Sequence, residues 1–409
     1  MVKESTGKSP QDWLVVFTST LALAVSVTHV YSTGLFIVPI ETEFGWSRAQ
    51  ITAGLAVVSV ISVVLAPFVG MVVDRIGSRR IALPGMILYC TALALLSTTT
   101  QSIWHWWAMW GLLAFGSVLI KPTVWMAAIA RRFVERRGLA FALALCGTGI
   151  GTATMPMLTD QLVQSGGWRF AYVVLGTGCA AIALPMILLF FKDQPKPVET
   201  AGASSKPLPG LTIKEGLLSR QFISMALASL LVTIAIIGLT VHFVPIMISH
   251  GLVSQSAAAA ATTIGITSII GRIGTGMLLD RFNGCLVGAI GFGFPIIACI
   301  ALLNFSGGIF VAIAVGAVIG FSLGAEIDVV AYLAARYFGL RNYGMLFGSI
   351  AGLLSLGAGI GPTFAGMMFD KFGSYDQLVW SLIPIFVVSA LLIGSLGPYP
   401  DFEGKEFAH

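Results

Sequence analysis

The chain has 409 residues, of which 56% are hydrophobic and only 10% charged, with a mean hydropathy of +0.92. Soluble domains carry about 25% charge, so this composition excludes a soluble enzyme or binding module and indicates a polytopic helical membrane protein. The net charge of +5 reflects basic loops and does not point to nucleic acid. The five cysteines, Cys90, Cys146, Cys179, Cys285 and Cys299, sit in or beside apolar runs, with no CxxC and no His/Cys cluster. They read as packing residues, and neither a metal nor a cofactor is expected.

The polar dozen MVKESTGKSPQD precedes an apolar run too long for a signal-peptide core and lacking a small-residue cleavage site, so that run is expected to stay as a helix. Spanning a bilayer takes about 20 apolar residues. Twelve stretches qualify: 13–40, 51–73, 81–99, 104–130, 139–163, 169–191, 221–248, 256–279, 285–304, 309–335, 345–369 and 377–397. Between the sixth and seventh lies a polar segment rich in Pro, Lys, Ser and Gly. The expected organisation is a six-helix bundle over 1–191, a linker over 192–220 and a second six-helix bundle over 221–409.

Orientation follows from Lys and Arg. With the N-terminus inside, the inner segments hold Lys3, Lys8, Arg75, Arg79, Arg80, Arg131, Arg132, Arg136, Arg137, Lys192, Lys196, Lys206, Lys214, Arg220, Arg281, Arg336, Arg341 and Lys405. The outer loops hold only Arg48, Arg169 and Lys371. Both termini are therefore expected in the cytoplasm, in a multi-pass protein of the plasma (inner) membrane. Trp104, Trp106, Trp107 and Trp110 form an aromatic belt at the outer start of the fourth helix.

The two halves repeat. Val38-Pro39-Ile40 and Val244-Pro245-Ile246 stand 206 residues apart, as do Gly70 and Gly276, Asp74 and Asp280, Gly151 and Gly357, and Pro156 and Pro362. Parallel six-helix repeats are a transporter plan, with the substrate site near the midplane between them.

Two cations lie inside spans, Lys121 and Arg272. A guanidinium at the centre of a membrane helix costs roughly 2.5–3.5 kcal/mol, so it is expected to be paired or to face a wet cavity. Lys121 is ten residues before Arg131, about 15 Å inside the helix end. Two carboxylates, Glu326 and Asp328, lie in the tenth helix and nearly neutralise the cations. Two residues turn a helix by about 200°, so one acid faces the cavity and the other a neighbouring helix, and either can be the proton carrier. His29, Tyr31, His242, Trp125 and Tyr332 are further substrate-site candidates, each with packing as the alternative role.

Gly70-x-x-x-Asp74-Arg75-x-Gly77-x-Arg79-Arg80, with its weaker copy Gly276-x-x-x-Asp280-Arg281, resembles the signature loop of the major facilitator superfamily. The resemblance covers the whole chain and implies an all-α integral membrane fold, twelve transmembrane helices in two pseudo-symmetric six-helix bundles. It further implies that Asp74 closes an inner gate against the eleventh helix and against Arg131 or Arg132. The positive N-terminal end of the eleventh helix, near Gly344, favours that anion.

A closer resemblance is to the monocarboxylate transporter and oxalate–formate antiporter branch. It is carried by Arg272, by Arg131-Arg132-Phe133…Arg137-Gly138-Leu139-Ala140, by Gly147-x-Gly149-x-Gly151…Pro156, and by Ala335-Arg336-Tyr337-Phe338-Gly339. It implies that Arg272 binds a substrate carboxylate. Two features depart from it. Ser268 stands where mammalian members carry an aspartate, and 345–369 holds no Lys where the oxalate antiporter has one. The expected activity is proton symport of a small organic monocarboxylate by a monomer in the lipid bilayer, and not an enzymatic one. The alternatives are a dicarboxylate exchanger using Lys121 with Arg272, and a proton-driven drug antiporter using Glu326 and Asp328.

Overall fold

A computed structural model of the chain describes residues 10–133, 137–191, 210–339 and 341–400, with residues 67, 74, 131, 137 and 138 described by backbone alone. Most of the expected linker, and the inner charges Lys3, Lys8, Arg136, Lys192, Lys196, Lys206 and Lys405, lie outside the described residues.

A bilayer offers no water to backbone N–H and C=O groups, so apolar runs of this length satisfy them internally as helices. In chain order these are α1 (Pro10–Ser26), α2 (Thr28–Tyr31), α3 (Thr33–Phe44), α4 (Arg48–Ile76), α5 (Ser78–Leu95), α6 (Ile103–Leu119), α7 (Pro122–Arg132), α8 (Arg137–Phe190), α9 (Ile213–Leu218), α10 (Arg220–Ser249), α11 (Ser254–Arg281), α12 (Gly284–Gly293), α13 (Pro295–Leu303), α14 (Ile309–Phe338), α15 (Tyr343–Phe372) and α16 (Asp376–Gly394). Among the described residues the only β pairing is one isolated bridge between Gly210 and Gly339.

Among the described residues, eleven stretches are long and apolar enough to cross a membrane, and one of them, Leu139–Phe190, runs for 52 residues. That length would extend about 78 Å as one helix, against a hydrocarbon core of about 30 Å. It is two crossings divided at Gly167, whose φ of 79° and ψ of 174° break the helix. The total is therefore twelve, arranged as the two six-helix bundles expected from the sequence.

Other crossings are less regular than their apolar patterns. The first is three pieces, α1 to α3, where hydroxyls of Ser26 and Thr33 return to the carbonyls of Leu23 and His29, a bond that bends helices. The fourth breaks between Leu119 and Pro122. Proline has no N–H to give and pushes the preceding residue out of helical conformation, and Lys121 accordingly sits at φ −64°, ψ 159°. The segment expected as linker up to 220 is partly helical: Thr212 and Glu215 form a capping box for α9, and Ser219 caps α10.

An even number of crossings leaves Pro10 and Pro400 on one face, here called the terminal face. Contacts there confirm the grouping: Arg132 pairs with Asp12 at 3.0 Å, and Arg79 donates to the Leu188 carbonyl at 2.7 Å. The signature-loop glycine Gly77 turns α4 into α5 on this face at φ 95°, a conformation L side chains rarely adopt. Between the halves, α4 packs on α15, α8 on α11 and α3 on α10.

Gly167→Ala should lose about 1–3 kcal/mol of stability, because a Cβ is strained at that backbone conformation. Gly178→Ala, in the same helix with open space at its Cβ, should leave the melting temperature unchanged or slightly raised. Thermal unfolding of both variants in detergent checks the pair.

Candidate functional site

The halves touch tightly towards the far face. A Cβ on Gly265 would stand 2.1 Å from the Ala153 nitrogen, and one on Gly366 would stand 2.6 Å from the Ala49 nitrogen. Small residues let helices approach to this distance in membranes. Polar contacts finish the closure. The backbone N–H groups of Arg48 and Ala49, at the start of α4, donate to the two carboxylate oxygens of Asp370 at 2.9 Å each. The Arg48 side chain bonds Glu41 at 3.0 Å and the Tyr375 hydroxyl at 2.8 Å, and its guanidinium lies 3.6 Å over the Phe369 ring.

His242 belongs to this closure. Its Nε2 is 2.9 Å from the Pro362 carbonyl and its Nδ1 is 2.8 Å from the Tyr375 hydroxyl. A carbonyl only accepts, so Nε2 carries the hydrogen and Nδ1 accepts from the phenol. Burial, partly opposed by the Arg48 guanidinium, pushes the Tyr375 phenol up to about 12, so it keeps the proton that it donates. On the other side of the bundle, Ser254 at the start of α11 bonds the Asp160 carboxylate of α8.

Towards the terminal face the same helices part. Gly70 on α4, Gly276 on α11 and Gly344, Gly348 and Gly352 on α15 have no described atom within 4 Å of where a Cβ would lie. Among the described residues the halves thus meet at the far face and not at these glycines of the terminal face.

The central charges lie between these ends. Arg272 donates from Nη1 to Asp328 Oδ1 at 3.0 Å, with side chains 20% and 27% exposed. The pair forms because α11 and α14 almost touch: a Cβ on Gly324 would stand 2.0 Å from the Ser268 carbonyl and 2.9 Å from the Arg272 nitrogen. Of the two acids, Asp328 is the one the guanidinium meets. Glu326 is buried and takes the Thr233 hydroxyl of α10. Tyr31 of α2, beside Thr152, lies within electrostatic reach of Glu326 and of Arg272, and Cys146 of α8 within reach of Arg272.

Lys121 is elsewhere. It lines a cleft of about 180 Å³ with His29, Ser59, Ser62, Ser117 and Ser355, and Arg272 is not among the lining residues. The structure therefore brings Arg272 and Asp328 together, and separately Lys121 and His29, while Tyr31 lines a small pocket with Thr152, Thr240 and Ala261. Trp125 is fully buried, with its indole N–H on the Ile120 carbonyl at 2.8 Å and its ring edge-on to Phe191. Tyr332 stands against Gly284 at the start of α12. In the signature loop, Asp74 and Arg131 carry no described side chains, Arg132 reaches Asp12, and Arg75, Arg80, Asp280 and Arg281 are exposed.

A family model described as "Major Facilitator Superfamily" matches residues 14–362. The chain belongs to the major facilitator superfamily. Human monocarboxylate transporter 12 is 23% identical over 96% of this facilitator and 82% of its own length. Monocarboxylate transporter 10 of Danio rerio is 26% identical, covering 95% and 81%. The uncharacterized MFS-type transporter YhjX of Escherichia coli strain K12 is 26% identical, covering 85% of each. A crystal structure of a bacterial homolog to the human lysosomal transporter Spinster, inward-facing and occupied, shares the fold at a TM-score of 0.71. It is 17% identical and covers 95% of this facilitator and 94% of that chain.

The far-face contacts were not expected from the sequence of this facilitator, although a signal was present. Asp370 sits in the last turn of α15, where an anion opposes its own helix dipole. A carboxylate so placed gains only by meeting the N-terminal end of another helix. Removing an N-cap carboxylate costs about 0.5–2 kcal/mol. Asp370→Ala should therefore shift the balance towards far-face opening by about 2- to 30-fold. Electron–electron distance measurements between spin labels at the far ends of α4 and α15 read that shift as a longer population, and an unchanged distribution would show that the cap does not hold the state.

Proposed function

We propose that this facilitator carries a small organic monocarboxylate across the membrane together with a proton, by alternating access. The terminal face is read as cytoplasmic, since the basic loops gather there. The halves over 1–191 and 221–409, joined by 192–220, rock about the contacts between them, and Asp74 serves the terminal face as an inner gate. The observation that carries the reading is the Arg272–Asp328 pair: a cation and an acid of a membrane span sharing one bond, both partly exposed. The names of the relatives agree with this substrate class.

The chemistry follows from what the pair costs when it is broken. A guanidinium is planar and binds a carboxylate with two parallel N–H groups. A substrate carboxylate offers Arg272 the same bond that Asp328 now makes, so exchanging one for the other leaves the cation satisfied. Once the interior closes around the substrate, the displaced Asp328 would be a bare anion away from water, which costs several kcal/mol. Taking a proton removes that cost, so loading the acid and loading the proton become one event. Release of both lets the pair re-form, and the empty carrier can return. The Tyr31 hydroxyl, within electrostatic reach of both Glu326 and Arg272, offers the substrate a further hydrogen bond. Glu326, held by Thr233, shapes the same interior from the opposite side of α14.

The test uses purified protein in liposomes with a trapped pH dye and a panel of small carboxylates outside. Internal acidification beyond that of protein-free liposomes is the expected result, and it names the acid. Arg272→Ala should abolish it, since removing one partner of a buried pair costs about 3–5 kcal/mol, or 10²- to 10³-fold or more. Asp328→Asn should abolish acidification while leaving exchange of labelled acid between preloaded liposomes. Acidification that survives in Asp328→Asn removes the proposed coupling, and its loss in Glu326→Gln alone would move the proton to Glu326. Exchange without acidification in the wild type makes the protein an exchanger.

A further inference from the structure

We propose that the cleft at Lys121 is a second carboxylate site, separate from Arg272. The inference rests on the reading that the transported molecule is a small carboxylate, and it adds a place and a stoichiometry to that reading.

Three features of the cleft point to an anion. Lys121 is a cation within the fourth crossing that no carboxylate meets among the described residues. The other buried cations differ: Arg272 has Asp328 and Arg132 has Asp12. An intramembrane charge with no protein partner is expensive, and a ligand of opposite sign removes that expense.

Second, the chain breaks at this residue. α6 ends at Leu119 and α7 begins at Pro122, so Lys121 stands at the start of a new helix of 11 residues, and its side chain does not cap it. Pro122 has no N–H and the Val124 N–H returns to the Lys121 carbonyl at 3.0 Å, so this terminus acts on an anion through the dipole of α7 more than through free N–H groups. Half-helix N-termini exposed at mid-membrane are where carriers receive anionic groups. Ammonium and helix terminus here favour the same sign of ligand.

Third, the lining holds spare hydrogen-bonding capacity. Ser62 is 1% exposed and its hydroxyl has no partner, although it lines the cleft. Buried hydroxyls without partners are uncommon. His29, also buried, binds Tyr89 through Nδ1 at 3.0 Å and lines the cleft beside Lys121. Serine hydroxyls from α4, α6 and α15 complete the wall. At about 180 Å³ the space suits an acid of a few carbons and falls below the 300–1,000 Å³ of pockets for drug-sized ligands.

His29 lines the Lys121 cleft, whereas Tyr31, two residues on and about 200° around the helix, lines a different pocket with Thr152 and Ala261, and Arg272 lines neither. One small molecule on Lys121 therefore leaves Arg272 free for another.

Equilibrium dialysis of the full chain in detergent tests this, with labelled acetate, pyruvate and lactate as probes and with unlabelled chloride and phosphate as competitors. The wild type should bind two acids per chain. Arg272→Ala and Lys121→Gln should each bind one, and the double variant none. Lys121→Arg, which keeps the charge, should bind two, and its melting temperature shows that the site tolerates substitution. Ser62→Ala should weaken the Lys121 site by about tenfold, as loss of a hydrogen bond to a charged group does.

One acid per chain, lost in Arg272→Ala and kept in Lys121→Gln, overturns the second site and leaves the proposed function standing. Loss of the Lys121-dependent acid to chloride or phosphate at concentrations far below that of the acid makes Lys121 an inorganic-anion site and overturns its assignment to carboxylates. No binding of any acid to the wild type counts against both readings.

Discussion

Access to the interior is governed by the start of one helix and the end of another. The first N–H groups of α4 have no partners in their own helix, and the Asp370 carboxylate at the end of α15 takes two of them. Asp370 opposes the dipole of its own helix, so it gains by reaching across. Ser254, which stands 206 residues after Arg48, meets Asp160 on the other pair of facing helices. The far face is thus drawn together on both sides by a carboxylate at one helix end and a donor at the next helix start. None of these bonds is strong alone. Together they seal one end with contacts that can be given up.

Behind that seal, the cost of charge away from water orders the interior. Arg272 and Asp328 hold each other because glycines bring α11 and α14 into backbone contact, and a larger residue at Gly324 would drive the helices apart. Glu326, two residues away on the same helix, faces α10 and takes a hydroxyl. In the proposed cycle this difference divides labour between the acids: the one on the guanidinium is released by a competing carboxylate, and the one on the hydroxyl is not.

The fold was legible because its signals are strong and redundant. Apolar runs of bilayer length mark the crossings, and anchors sharing one offset, such as Asp74 with Asp280, mark the repeat. Arg272, Lys121 and the two acids stood out because charge is rare in such runs. The pairing was not legible. Whether Asp328 or Glu326 meets Arg272 depends on which side of α14 lies against α11, and that is set by glycines whose partners lie far along the chain. Trp125 illustrates the same limit: one turn from Lys121 it can point to a cleft or into packing, and the Ile120 carbonyl freed by the helix break is what draws its N–H inward. His242 reads as a membrane histidine in sequence, and only the Pro362 carbonyl and Tyr375 place it in the far-face closure.

One cysteine stands apart from the other four. Four of the five are buried, and Cys146 is half-buried on α8, close enough to Arg272 to feel its charge. A water-soluble maleimide entering from the terminal face would find that thiol first, with no need to build a cysteine-free background. Its alkylation rate would then be a clock for the cavity, running fast in the state described and slow when the terminal face shuts or when a bound molecule shields the neighbouring guanidinium.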